Sequence, residues 1–166
     1  MYGDAPASAD DEHDAAAQAP KKNAFVTGAR GFLGRFLIAD LMEHDSVGKV
    51  YCLVRRKNNT SGADRLAEAM RDAGVWNDAY FESGRLLVVE GDVEERRLGL
   101  TSDTWDLLTR NVDTIYHFAA NISLFTPYED LRESNTRSMI DLRTCVSPAA
   151  RRSSITHRRS GSSRSI

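Results

Sequence analysis

Apolar and polar positions fall in blocks along the chain, and the blocks change period in a regular order. Ala24-Phe25-Val26-Thr27 is a short continuous apolar run, as in a strand buried on both faces. A helix is then predicted to about Glu43. Leu33, Leu37 and Leu41 recur every fourth residue, with Ile38 and Met42 beside them, as one apolar stripe. Lys49-Val50-Tyr51-Cys52-Leu53-Val54 is β-branched and aromatic enough for a second buried strand. After the loop Asn58–Gly62, Ala63 to Ala73 predicts a helix carrying Leu66 and Met70 on one side. Leu86–Val89 is a third strand, stopped by Gly91-Asp92. Thr101 or Ser102 can cap a helix around Trp105 and Leu108, and Val112 to Phe118 is a fourth strand. Thr126-Pro127 opens a last helix, from Tyr128 to about Cys145.

Strand and helix alternate throughout, so the fold class is α/β: a parallel sheet with helices on both faces. Right-handed crossovers order the strands 3-2-1-4 and place a crevice beyond the carboxyl ends of strands one and four. Gly28, Arg55, Asp92 and Ala119 all fall at that crevice.

The ends differ from this middle. Residues 1–22 begin with an acidic stretch without Lys or Arg as far as Pro20, which reads as a disordered arm or linker. Residues 23–145 hold the patterned domain. Residues 146–166 are rich in Ser and Arg and lack any period of 2 or 3.6. A parallel sheet needs its next strand there, so a truncated or frameshifted product is expected, with one flank of strand four unpaired.

The net charge of −2 hides these two opposite ends and provides no global basic field for nucleic acid. Cys52 and Cys145 have no metal-type spacing, and Cys52 reads as a small buried hydrophobe. No signal peptide and no membrane-length apolar run is visible, so a cytoplasmic setting is expected, without membrane contact.

The chemistry concentrates between the first strand and its helix. Gly28, Gly31 and Gly34 form a G-x-x-G-x-x-G turn. Gly28 permits a backbone conformation that a Cβ opposes, Gly31 lets a diphosphate approach, and Gly34 lets helix lie close on strand. The helix mouth adds free N–H groups and partial positive charge. A dinucleotide site is the reading, against a plain strand–turn–helix corner. Arg55 and Arg56 follow strand two, where an acidic residue would favour NAD; arginine favours the 2′-phosphate of NADP, unless it is only a solvated loop end. Arg65 can close over the same phosphate or the adenine, or be an ordinary surface arginine. Asp92 can accept from the adenine amino group and the Val93 N–H can reach a ring nitrogen, or Gly91-Asp92 is a simple turn. Small residues after His117 let a cofactor pass over the backbone. His117 itself fits a core or supporting role better than catalysis, and its neighbourhood in sequence holds no metal-ligand set. Asn135 either orders groups near the nicotinamide or faces solvent.

These motifs in series resemble the extended short-chain dehydrogenase/reductases. They are Thr27-Gly28-Ala29-Arg30-Gly31-Phe32-Leu33-Gly34, Tyr51–Arg55, Val89–Val93, Leu98–Thr101, Asp113–Ala120 and Pro127-Tyr128. More narrowly, the chain over about Asn23 to Leu142 is similar to the thioester reductase domains of nonribosomal peptide synthetases and carboxylic acid reductases. Fatty acyl-CoA reductases are close relatives. The resemblance implies an NADP-binding Rossmann-type domain, present for about its first four strands. It also implies NADPH-dependent reduction of an acyl thioester, held on the phosphopantetheine arm of a carrier protein, to aldehyde or alcohol. By position, Arg30, Gly31, Phe32 and Leu33 would cradle the diphosphate, Arg55 and Arg65 the 2′-phosphate, and Asp92 and Val93 the adenine. Ala119, Ala120 and Asn121 would line the ribose–nicotinamide run, with Asn121 standing where an apolar residue is expected. The family's Tyr-x-x-x-Lys pair is absent, since none of Tyr2, Tyr51, Tyr80, Tyr116 and Tyr128 has Lys at the fourth following position. No catalytic residue is therefore assigned. A catalytically silent nucleotide-binding fragment, or an interaction module that joins a separate catalytic piece, stands beside the reductase reading.

Overall fold

The computed structural model describes residues 20–119 and 128–145. The expectations for the arm before Pro20, for Thr126-Pro127 and for the Ser/Arg tail fall outside those residues. Four strands, β1 (Lys22–Thr27), β2 (Val47–Val54), β3 (Leu86–Glu90) and β4 (Thr114–His117), form one parallel sheet in the order β3-β2-β1-β4. The helices are α1 (Phe32–Glu43), α2 (Gly62–Asp72), α3 (Ala79–Glu82), α4 (Ser102–Asn111) and α5 (Tyr128–Cys145), with a 3-10 segment at Arg96–Gly99.

Side chains alternate across a strand, and in β1 and β2 both sets are apolar. Val26, Val50 and Cys52 face one layer with Ile38 and Met42 of α1 and Leu66 and Met70 of α2. Phe25, Tyr51 and Leu53 face the other with Trp105 and Leu108 of α4 and Leu142 and Cys145 of α5. Two separate cores therefore clamp one sheet, as a doubly covered parallel sheet requires. β4 differs: each of its residues is only half-buried, and among the described residues its one strand neighbour is β1. Burial pushes both cysteine thiols up, Cys145 to about 12, so neither is a ready nucleophile.

The stripe on α1 is shifted from the one expected. Gly34, Ile38, Leu41 and Met42 are buried, while Leu33 is 60% exposed. The helix begins at Phe32, so Leu33 sits in its first turn, and the smallest residue, Gly34, takes the place against the sheet.

The amino ends of the strands are tied together by polar side chains. Arg85 donates to the carbonyls of Met42, His44, Val47 and Gly48 at 3.0–3.1 Å, satisfying acceptors at the end of α1 and the start of β2. Asn23 donates from its side chain to the Asn111 carbonyl and accepts from Lys49 N–H, both at 2.8 Å. Its own N–H donates to the Asp113 carboxylate. Hydrogen bonds from a charged donor contribute about 1.5–3 kcal/mol each at most, so Arg85 is a principal tie.

Candidate functional site

Gly28 leaves β1 with φ +69°, a left-handed conformation, and a Cβ there would stand 2.7 Å from the backbone of Phe118 and Ala119. Only glycine lets the turn after β1 press against the end of β4 this closely. Gly31 N–H donates to the Gly28 carbonyl at 2.9 Å and closes the turn. A Cβ at Gly34 would run into that same carbonyl oxygen and stand 2.9 Å from Ala29 Cα. Gly31 is the N-cap of α1, no side chain caps the helix, and its first turn carries no acidic residue. The helix mouth thus keeps donors and partial positive charge for an incoming anion.

A crevice of about 310 Å³ opens over this turn, within the ~300–1,000 Å³ usual for small-ligand sites. Gly28, Arg30, Gly31, Arg55, Arg65, Asp92, Val93 and Ala119 all line it. The sequence points to each of them as a cofactor-binding candidate. Leu53, Val54, Gly91 and Phe118 line it as well. In the sequence Leu53 and Val54 belong to the second strand and to the Tyr51–Arg55 motif, and their place immediately before Arg55 is the signal for a lining role. Phe32 and Leu33 stand exposed on the helix mouth, outside the lining, and Gly34 lies beneath it. Ala120 and Asn121 lie outside the described residues. Asn135 does not line the crevice; its carbonyl accepts from the Ser138 hydroxyl.

Three guanidinium groups meet at one corner. Arg30 Nε donates to the Arg65 carbonyl at 2.9 Å, and Arg65 Nη1 donates to the Arg55 carbonyl. Burial first, then the nearby Arg30 and Arg55, lowers the Arg65 pKa from its ordinary value. Arg55 does not stand free. Its Nε lies 2.6 Å from Asp92 Oδ2 and its Nη2 donates to Asp92 Oδ1 at 2.8 Å. Sequence reasoning gave these two residues separate tasks; the structure pairs them. Arg56 is held elsewhere, donating to Glu90 at 2.9 Å.

His117 shares a 2.6 Å hydrogen bond with the buried Thr27 hydroxyl, which also accepts from Ala119 N–H at 3.4 Å. Burial lowers the His117 pKa below its ordinary value, which favours the neutral ring. It braces the end of β4 against the glycine turn, as a supporting group. No helix among the described residues is long and apolar enough to cross a membrane.

A family model described as male sterility protein, an NAD-binding family, matches residues 26–157. The chain belongs to that family. Several of its curated relatives are named as reductases. The L-2-aminoadipate reductase large subunit of Candida glabrata is 38% identical over 128 residues, covering 75% of this chain and 9% of that protein. The terminal R domain of the myxalamid PKS-NRPS pathway superposes with a TM-score of 0.65 at 31% identity, over 78% of this chain and 34% of that one. A thiolation-reductase di-domain from an archaeal non-ribosomal peptide synthetase gives 0.62 at 26% identity, over 75% of this chain and 32% of that one. The chain thus spans about a third of these solved reductase domains and a small part of the curated relative. The thioester reductase resemblance and the Rossmann-like parallel sheet both hold. A glycine-rich turn, an uncapped helix mouth and clustered guanidinium groups fit the diphosphate and adenosine of the nicotinamide dinucleotide that the NAD-binding family implies.

Proposed function

We propose that the chain is the NADP-binding portion of a reductase acting on a carrier-bound acyl thioester. One observation supports the cofactor choice: Arg30, Arg55 and Arg65 gather at one corner of a crevice floored by the glycine turn, the corner this reading gives to the adenosine. A 2′-phosphate adds a dianion at that corner, which a ribose hydroxyl does not. The nicotinamide, when bound, supplies a hydride to the thioester carbonyl. The chain's own residues bind and orient: the turn from Gly28 to Gly34 and the α1 mouth receive the diphosphate. Asp92 and Val93 receive the adenine, and Ala119, Ala120 and Asn121 line the ribose–nicotinamide run. In this reading residues 23–145 form the binding unit, between the 1–22 arm and the 146–166 tail. The relatives' reductase and thiolation-reductase names support the thioester substrate and the carrier partner, and a cytoplasmic setting accords with such a substrate.

A second reading is favoured by the sequence itself, which holds no Tyr-x-x-x-Lys. In it the isolated chain binds nucleotide without turnover. Fluorescence titration with NADPH and NADH tests the cofactor assignment. NADPH binds at least about tenfold tighter, or about 1.4 kcal/mol. Equal affinities overturn the NADP assignment. NADPH consumption with a phosphopantetheine-linked acyl thioester then decides between the two readings.

A further inference from the structure

Asp92 and Arg55 come from neighbouring strand ends. Val54 and Glu90 are register partners, so the residues that follow leave the sheet side by side at the crevice. The Asp92 side chain is only 17% exposed and is fixed on several sides. Its Oδ1 accepts from Glu94 N–H at 3.0 Å, and its own N–H donates to the Leu98 carbonyl at 2.8 Å. The Arg55 side chain is 54% exposed, and an arginine that open samples many rotamers unless something holds it.

We propose that Asp92 is a specificity-determining residue: its carboxylate orients Arg55 toward the ribose 2′ position and thereby favours a 2′-phosphorylated nucleotide. The inference rests on the NADP reading above. The contact geometry states how it works. Asp92 engages one edge of the guanidinium, through Nε and Nη2, and Glu94 Oε2 stands 3.6 Å from the same Nη2, so both carboxylates lie away from Nη1. A guanidinium has five N–H donors in a rigid fork, so Nη1 still meets a phosphate oxygen while the Asp92 edge stays closed. The carboxylate therefore braces Arg55 without competing with the phosphate. Oδ2 receives only Nε among these bonds, so an adenine amino group can share the same carboxylate. Base recognition and 2′-phosphate recognition then meet at one side chain.

The test uses 2′,5′-ADP and 5′-AMP, which differ only in the 2′-phosphate, titrated against the full chain and its variants. For Asp92→Asn the ratio of the 5′-AMP Kd to the 2′,5′-ADP Kd falls about fivefold, the scale of ordering one long side chain. Arg55→Gln, a change at an exposed position, lowers the same ratio, and adding Asp92→Asn to it lowers the ratio no further. Equal weakening of both ligands by Asp92→Asn would assign Asp92 to the adenine alone and overturn the proposal. A ratio that rises would make Asp92 a competitor of the phosphate and overturn it as well. A wild-type chain with no preference for 2′,5′-ADP removes the NADP reading itself; a wild-type preference that survives Asp92→Asn removes only this inference.

Discussion

Gly34 and Gly31 share a turn but carry different constraints. A Cβ at Gly34 meets backbone atoms that cannot turn aside, the Gly28 carbonyl oxygen and the Ala29 Cα and carbonyl, whereas a Cβ at Gly31 meets only the Gly28 oxygen at 3.1 Å. Gly34→Ala therefore lifts α1 from the sheet and destabilises by about 1–3 kcal/mol, the usual scale of overpacking. Gly31→Ala costs clearly less. Thermal melts of the two variants check the ranking, and a Gly34 variant as stable as the Gly31 variant would contradict it. Residue-level legibility followed the same division. The glycine roles could be read because each answers a local steric demand. The exposure of Leu33 could not, because it depends on which residue begins α1. The Arg55–Asp92 pair could not, because strand register rather than local sequence brings them together.

At the scale of elements, α2 is tethered by Glu90. Its carboxylate accepts from Gly62 N–H at 2.7 Å at the start of α2, and from Arg56 at 2.9 Å. The Gly62 hydrogen bond first, then Arg56, holds the Glu90 pKa below its ordinary value of 4.5. A depressed carboxylate pKa means the unfolded state binds the proton more readily in that window. The contribution is therefore fully present above about pH 4.5 and is lost as pH falls through the lower folded value. Denaturation followed between pH 3 and 6 will show Glu90→Gln flattening this part of the stability curve; an unchanged slope would assign the acid sensitivity elsewhere. The four strands and four of the helices were legible because their apolar runs are long enough to show a period. The four-residue α3 and the 3-10 segment show none. Tertiary contacts decide them: Tyr80 of α3 reaches back to Glu43 at 2.8 Å, and Leu98 of the 3-10 segment is fully buried in the second core.

For the molecule as a whole, the order β3-β2-β1-β4 follows from alternation, crossover handedness and the doubly-wound strand order together. The half-buried state of β4 is the feature that bears on stability, because half of its potential ladder lies open among the described residues. A ligand bridging the turn after β1 and the end of β4 joins the half-buried strand to one flanked on both sides. NADPH at about a hundred times its Kd stabilises by about 2.7 kcal/mol through linkage alone. The melting temperature then rises by at least about 5 °C. Calorimetry with and without NADPH measures this, and an unmoved transition would deny binding to the folded chain.

Arg85 and Asn23 stitch the amino ends of the strands, while the crevice occupies the opposite rim. Cohesion and recognition are thereby assigned to opposite poles of the sheet. Side chains at the recognising pole can be exchanged, and the ligand they select altered, while the fastening at the other pole stays intact. The fold thus offers its chemistry as a replaceable face on a fixed base.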